Sequence, residues 1–362
     1  MGVQEDIKEL EDRIANTKYN KATQSAIGQY KAKLSQLKDE VVKRASKGSK
    51  GEGYAVRKSG DATVVLLGFP SVGKSTVLNA MTDAKSPVAA YEFTTLTVIP
   101  GVMKYKGANI QVLDVPGIVH GAASGRGRGK EVLAVLRSAD LILILIDGQK
   151  PEHYKAILKE VYDSGIRINQ KTPVIKIKKT SKDGIKIGRT VKTDLADDTI
   201  KDIMKEYKIN NADVVLRSNP TIDQFLDAIE GNKIYLPAIT AVSKVDMLKE
   251  EQIEKINKEI NPDLFISAQN NVNMDRLKEM IFEKLDLMRL HMKEMGKDAD
   301  MEEPMIIKKG STIKDVCNKL HKDFVVKFKF SRVWGPSSKF PGQKFNLDHV
   351  LKDKDILEIH LK

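Results

Sequence analysis

GFPSVGKST, Gly68 to Thr76, is the stretch on which the reading of this chain turns. Two glycines separated by four residues are followed at once by Lys74 and Ser75. The apolar run TVVLLG lies just before, and the helical pattern STVLNAMTDA overlaps the end. Between a strand and a helix, that spacing is the spacing of a phosphate-binding loop. Glycines let successive backbone amides turn inward around an anion, and the following helix aims its positive N-terminus at the same point. On this reading Gly68, Ser71, Val72, Gly73 and Thr76 shape the cradle. Lys74 lies along the β and γ phosphates of a nucleotide, and the Ser75 hydroxyl ligates Mg²⁺. The competing reading, a glycine-rich turn followed by a chance Lys-Ser, gives no reason for a strand and a helix on either side.

Outward from the loop, short apolar runs alternate with helical patterns, which is how a parallel sheet covered by helices is written. NIQVLDVPG reads as a strand and GKEVLAVLRSA as a helix. LILILID is apolar at every phase, so it belongs at the centre of a sheet buried on both faces. Between Asp147 and Leu236 lie about ninety residues, far more than a connection needs, so an inserted domain is expected. Within it TPVIKIKKT and GIKIGRTVKT flank a turn at Ser181 to Gly184 and read as a lysine-rich hairpin. DDTIKDIMKEYKI and TIDQFLDAIEG read as helices, with ADVVLRS a strand between them. The sheet pattern resumes with KIYLPAITAV, the helix EEQIEKINKEI and DLFISA. NNVNMDRLKEMIFEKLDLMRLHMKEM then reads as one long closing helix. Beyond Met301, PMIIKKG, STIKDVCNKLH, FVVKFKFSRVWG and DILEIHLK make a small α+β unit. Ahead of the loop, Ile7, Leu10 and Ile14, then Ile27, Tyr30, Leu34, Leu37 and Val41, mark two amphipathic helices joined near Thr17 to Asn20. A flexible basic segment follows, up to Asp61.

A length of 362 residues suits about two to three domains, and a hydrophobic share of 41% is ample for packed cores. The net charge of +12 favours a polyanionic partner such as RNA over an acidic small substrate. Cys317 is the single cysteine, which excludes disulfides within the chain and cysteine-rich metal sites. No apolar run is long enough to cross a bilayer, and MGVQEDIKELEDR has no apolar core that would serve as a secretion signal. A cytoplasmic protein with no membrane partner is expected, and a monomer.

Further signals fall where the ligands of an open α/β sheet gather, at the carboxyl ends of its strands. Asp114-Val-Pro-Gly117 ends the strand NIQVLD: the aspartate can reach a metal through water, and the Gly117 amide can meet a γ phosphate. Tyr91-Glu-Phe-Thr-Thr-Leu-Thr97 supplies threonines, one of whose hydroxyls can complete the Mg²⁺ shell, although threonines before a strand also occur for β propensity. Ser243-Lys244-Val245-Asp246 ends another strand. There the Asp246 carboxylate can accept from guanine N1 and its exocyclic amine together. Adenine offers an acceptor at N1 and no 2-amine, and an unpaired carboxylate costs more than about 1–3 kcal/mol. Lys244 lays its stem over the base. Ser243 is too short to do all that an asparagine amide does toward N7 and the phosphate loop, a loss of about 0.5–1.5 kcal/mol. Ser267-Ala268 adds a backbone amide toward guanine O6.

GFPSVGKST, AAYEFTTLTVIPGV, LDVPGI, GRGRGKEVLAV, GIRIN, EYKINNADVVLR, GNKIYLP and VWGPSSKFPGQKFNLDHVLKDKD, in this order, closely resemble the developmentally regulated GTP-binding proteins. That family is a branch of the Obg-like translation-factor GTPases, and the resemblance covers nearly the whole chain. It implies an α/β fold: a P-loop GTPase domain, a mostly parallel sheet with helices on both faces, at 61–150 and 235–300. It also implies an N-terminal helical hairpin and basic linker at 1–60. An inserted α+β domain, like one of a small-subunit ribosomal protein, occupies 151–234. A C-terminal TGS domain, a ubiquitin-like β-grasp module, occupies 301–362. Carried over by position, Ser75, Thr95 and Asp114 serve Mg²⁺, with Thr95 rather than Thr94 the switch threonine. Lys74, Thr95 and Gly117 act on the γ phosphate of GTP, and Lys244 and Asp246 read guanine. Family members work with ribosomes and, in eukaryotes, with a small partner protein, and some use K⁺. This chain departs from the family pattern at Ser243, where asparagine is usual, and at His120, where glutamate is usual.

Ile118 follows Gly117 where many GTPases carry a water-orienting glutamine, so slow intrinsic hydrolysis to GDP is expected, with the missing group supplied by a partner or a monovalent cation. Arg126 and Arg128 sit in a glycine-rich segment that fits a switch ordered by GTP. The lysines of VIKIKKT and GIKIGR either track an RNA backbone or guard sheet edges. Trp334, Phe328, Phe330 and Phe340 either stack on bases or pack a small core. Two function classes follow: a ribosome- or RNA-associated GTPase switch, and a non-catalytic RNA-binding scaffold whose nucleotide is structural. An adenine-nucleotide enzyme is a weaker third.

Overall fold

The computed structural model describes residues 3–45, 60–82, 91–92, 97–114 and 135–362. The described residues of 1–53 and 158–236 cluster as one compact unit, and those of 54–118, 134–157 and 237–362 as a second.

The second unit is built on a seven-stranded sheet. Its strands are β1 (Ala62–Leu67), β2 (Tyr91–Glu92), β3 (Thr97–Tyr105), β4 (Ala108–Asp114), β5 (Leu141–Asp147), β11 (Ala238–Ser243) and β12 (Leu264–Phe265), in the order β12-β11-β5-β1-β4-β3-β2. The pairs β1·β4, β1·β5, β5·β11 and β11·β12 are parallel, and β3 runs antiparallel to β4. Both faces are covered. Val64 and Leu66 of β1 and Leu141, Leu143 and Leu145 of β5 pack with Val77, Leu78 and Met81 of α3 (Lys74–Met81) and with Met274, Leu277 and Ile281 of α8 (Met274–Lys284). Their alternate-phase neighbours Val65, Leu67, Ile142 and Ile144 are fully buried as well. LILILID is therefore an interior strand buried on both faces, as its unbroken apolarity announced; each such side chain stabilises the fold by about 1.5–3 kcal/mol.

KIYLPAITAV is divided at Pro237. Ile234–Leu236, here β10, pairs with β6 (Ile166–Ile168) in a two-stranded ribbon of the first unit, and β11 begins the return to the main sheet. Proline has no N–H for a ladder, but its carbonyl accepts from the Ile142 amide at 3.0 Å, so one residue ends one sheet and starts the other.

In the first unit, β7 (Ile175–Lys179) and β8 (Ile185–Arg189) do not form the expected hairpin. Strand β9 (Ala212–Leu216) lies between them, antiparallel to β7 and parallel to β8. The reason is burial. Ala212, Val214 and Leu216 are fully or almost fully buried, whereas the lysine-bearing strands are half exposed and suited to edges. Helices α5 (Asp197–Glu206) and α6 (Ile222–Glu230) complete this core with Ile200, Ile203, Met204 and Phe225. A capping box between Thr221 and Gln224 starts α6.

The N-terminal helices α1 (Val3–Asn16) and α2 (Gln24–Ala45) form the expected pair, and α2 docks on this core. Gln24 is buried, donates to the Tyr19 hydroxyl and the Asp194 carbonyl, and accepts from the Ala196 amide and the Thr199 hydroxyl. Ser25 bonds Asp202, and Lys31 bonds both oxygens of Asp223.

The expected long closing helix stops at Lys284. Asp286 takes a left-handed φ of 52°, and Leu287–Met292 becomes β13. Its segment is apolar at both the helical and the strand period, and pairing decides: β13 joins β14 (Met305–Lys308), β15 (Phe328–Trp334), β16 (Gln343–Phe345) and β17 (Asp355–Leu361) in the order β14-β13-β17-β15-β16. Helix α9 (Ile313–Leu320), with Val316 and Cys317, shares a core with Leu290, Val333 and Leu357 of this sheet.

Candidate functional site

Strand β1 delivers the chain into residues 68–75 and α3 takes it away, as the motif requires. Gly73 is the N-cap of α3 at φ 93°, a left-handed conformation natural to glycine, and no side chain among the described residues caps the helix. The first amides of α3 have no intrahelical acceptor and are available to an anion. Ser71 also adopts positive φ, 65°, a conformation that costs a non-glycine residue about 1–2 kcal/mol and that gathers at functional loops. A Cβ on Gly68 would lie 2.7 Å from the Leu145 carbonyl oxygen, so the loop enters against β5 with no room for a side chain.

Lys74 Nζ donates to the carbonyls of Gly68 at 3.0 Å and Phe69 at 3.1 Å. Burial pushes its ammonium below the usual lysine range, against the opposing pull of the Asp114 carboxylate. Ser75 Oγ lies 2.9 Å from Asp114 Oδ2. Asp114 ends β4 and is 5% exposed, and its other oxygen, Oδ1, is buried with no hydrogen-bond partner among the described residues. A buried carboxylate oxygen so placed beside a hydroxyl is the donor chemistry a hard divalent cation takes, so Ser75 and Asp114 fit Mg²⁺. Bound there, the ion would neutralise phosphate charge. Thr94, Thr95, Gly117, Ile118, His120, Arg126 and Arg128 lie outside the described residues.

At the base end, β11 stops at Ser243, which is paired in register with Asp147 at the end of β5. The shortness of serine against asparagine is partly repaired by position: Ser243 Oγ is 2.8 Å from the Val72 carbonyl oxygen and 3.1 Å from that of Ile146. The link to the phosphate loop is therefore present. Lys244 adopts φ 60° and its Nζ bonds Asp147 Oδ2 at 2.6 Å. Burial pushes the Asp147 carboxyl upward, but hydrogen bonds from Lys244 and from the Gln149 amide outweigh it and hold the group below its usual range. Sequence reasoning missed Asp147; its signal was an acid at the end of a wholly apolar strand. Asp246 is exposed in a 3₁₀ turn (Val245–Met247), and among the described residues its carboxylate has no hydrogen-bond donor. That turn is tied to the segment after β12 by the Val245 amide on the Ile266 carbonyl at 3.2 Å. The Ser267 amide is taken by the Val272 carbonyl, which leaves the Ala268 amide, bonded to no backbone carbonyl among the described residues.

A phosphate loop, a serine–aspartate pair fit for Mg²⁺ and an exposed carboxylate at the ends of neighbouring parallel strands define a P-loop guanine-nucleotide-binding protein. Residues 63–179 match the family model of a 50S ribosome-binding GTPase, 182–287 that of the C-terminal region of the MMR_HSR1 domain, and 294–361 that of the TGS domain. The developmentally-regulated GTP-binding protein 1 homolog of Dictyostelium discoideum is 46% identical over 368 residues, covering 99% of each chain. The human developmentally-regulated GTP-binding protein 2 is 42% identical over 362 residues, again covering 99% of each. A GTP-binding protein of Methanocaldococcus jannaschii is 49% identical over 367 residues, covering 100% of this chain and 94% of that one. The chain belongs to the developmentally regulated GTP-binding protein family, within the GTPases.

Two other surfaces bear on partners. Lys176, Lys178 and Lys186 are exposed on the edge strands β7 and β8, while Asp213 and Val215 of the central strand stand beside them in register, a distribution that suits edge protection. On the C-terminal sheet, the Phe330 ring stacks on His360 at 4.2 Å with Lys344 Nζ 4.6 Å from its centroid, and Lys293 lies 5.3 Å from the Trp334 ring. Arg332 is exposed between those rings, and Phe340 is 58% exposed nearby in sequence. No helix among the described residues is long and apolar enough to cross a membrane.

Proposed function

We propose that this protein hydrolyses GTP slowly on its own and works as a ribosome- or RNA-associated switch of translation in the cytoplasm. The observation that carries the RNA half of this reading is the C-terminal sheet face, where rings and cations alternate on a chain of net charge +12. Aromatic faces take unstacked bases and cations take the backbone, which is how single-stranded RNA is held. The family-model description of residues 63–179 as a 50S ribosome-binding GTPase points the same way.

The slow turnover follows from the sequence after the phosphate-sensing glycine, where Ile118 offers no group to orient water. Positioning and charge neutralisation carry phosphoryl transfer, so a ribosomal contact, a small protein partner or K⁺ supplies the acceleration. Thr95 and Gly117 are the γ-phosphate sensors, and the protein acts as a monomer. The test is co-sedimentation of the full chain with ribosomes in GTP-analogue and GDP forms, with crosslink mapping of contacted RNA. Binding that depends on the nucleotide and maps through Arg332 and Lys344 supports the proposal. Equal, nucleotide-independent binding favours a scaffold, and no binding removes the ribosomal role.

A further inference from the structure

Ser243 is 4% exposed, and both acceptors in reach of its hydroxyl are protein carbonyls, Val72 and Ile146, at 2.8 and 3.1 Å. A serine has one proton to donate, and here it is directed inward, beneath the phosphate loop. An asparagine amide carries two, so it can hold the loop with one and donate the other to a ring nitrogen of a bound purine. The neighbouring side chain does not take over this task, because Lys244 Nζ is fixed on Asp147 at 2.6 Å. Base recognition is thus left to the exposed Asp246 carboxylate, which can take N1 and the 2-amine of guanine, and to the Ala268 amide, which can donate to O6.

From this geometry we infer that Ser243 tethers the phosphate loop without reading N7 of the purine, so that the chain binds and hydrolyses guanine nucleotides that carry carbon in place of that nitrogen. The inference rests on the guanine-nucleotide reading of the site and names its substrate range. Hydrolysis of 7-deaza-GTP balances as for GTP: water adds to the γ phosphorus, the bond to the β–γ bridging oxygen breaks, and 7-deaza-GDP and phosphate leave.

The test compares GDP and 7-deaza-GDP binding to the full chain by calorimetry with Mg²⁺, and hydrolysis of the two triphosphates. The expected result is equal affinity within about twofold for the natural protein. Ser243→Asn is expected to create a preference for GDP of about two- to twelvefold, one neutral hydrogen bond's worth. Ser243→Ala removes the tether without adding a donor, so it should weaken both nucleotides by the same factor and leave their ratio at one. A natural protein that already prefers GDP by about fivefold or more overturns the inference while leaving guanine binding intact. Failure to bind either nucleotide overturns the guanine reading itself, and the inference with it.

Discussion

Ser75 Oγ and Asp114 Oδ2 stand 2.9 Å apart while Asp114 Oδ1 is buried without a hydrogen-bond partner among the described residues, so α3 and β4 bring a hydroxyl and a spare carboxylate oxygen to one point. If that point is where Mg²⁺ sits, loss of the carboxylate must appear in the metal dependence. Asp114→Asn is expected to raise the Mg²⁺ concentration for half-maximal GTP hydrolysis by about 10- to 100-fold, as loss of an outer-shell partner does. A magnesium titration that superimposes on that of the natural protein would remove Asp114 from the metal site.

Asp246 is expected to choose the base. Its carboxylate can accept two donors from guanine, and bonds to a charged acceptor contribute about 1.5–3 kcal/mol. Asp246→Asn should lower GTP affinity by about 10- to 150-fold and raise affinity for xanthosine triphosphate, whose O2 accepts from the new amide. Competition binding decides it, and an unchanged ratio of the two affinities contradicts the role.

Lys74 makes a pH prediction. Burial depresses its pKa, so over the window between that lowered value and the ordinary lysine value the unfolded chain holds more protons than the folded one. Stability of the nucleotide-free protein therefore rises with pH across that window. A bound triphosphate draws the proton back, so GTP binding should take up a proton there and weaken as pH climbs. Calorimetry in buffers of different ionisation enthalpy measures the uptake, and Lys74→Met should abolish it.

In the first unit, the Arg167 guanidinium pairs with both oxygens of Asp227 at 2.8 Å, with side chains 6% and 5% exposed, and Tyr235 donates to the same carboxylate at 2.8 Å. Asp227→Ala strands a buried cation and is expected to cost about 3–5 kcal/mol in urea unfolding. Glu9→Ala, which breaks the exposed pair with Arg13, should cost less than about 1 kcal/mol. Similar losses for the two would mean the buried pair is not what secures β6 to α6.

Much of this was legible in the residues because the phosphate loop is a local device. Gly68, Gly73, Lys74 and Ser75 carry their chemistry in their own spacing, and the neighbouring run LILILI is apolar at every phase. What was not legible depended on partners distant in sequence. Strand β9 separates β7 from β8 although a turn joins the latter two, and the period of Leu287 to Met292 fits helix and strand alike until β14 and β17 pair with it. The docking of α2 on the insertion rests on Gln24, a polar residue whose burial no periodicity announces. Ser243 looked short of an asparagine from its chemistry alone, and only the approach of the Val72 carbonyl shows how the loop is held without one.

Whether this GTPase waits for its partner is read from the rate of phosphate release from GTP, measured for the full chain with Mg²⁺ in the presence and absence of K⁺ and of ribosomes. Slow release by the protein alone and faster release when ribosomes are added are expected. No release under any of these conditions, with GTP still bound, would contradict that expectation.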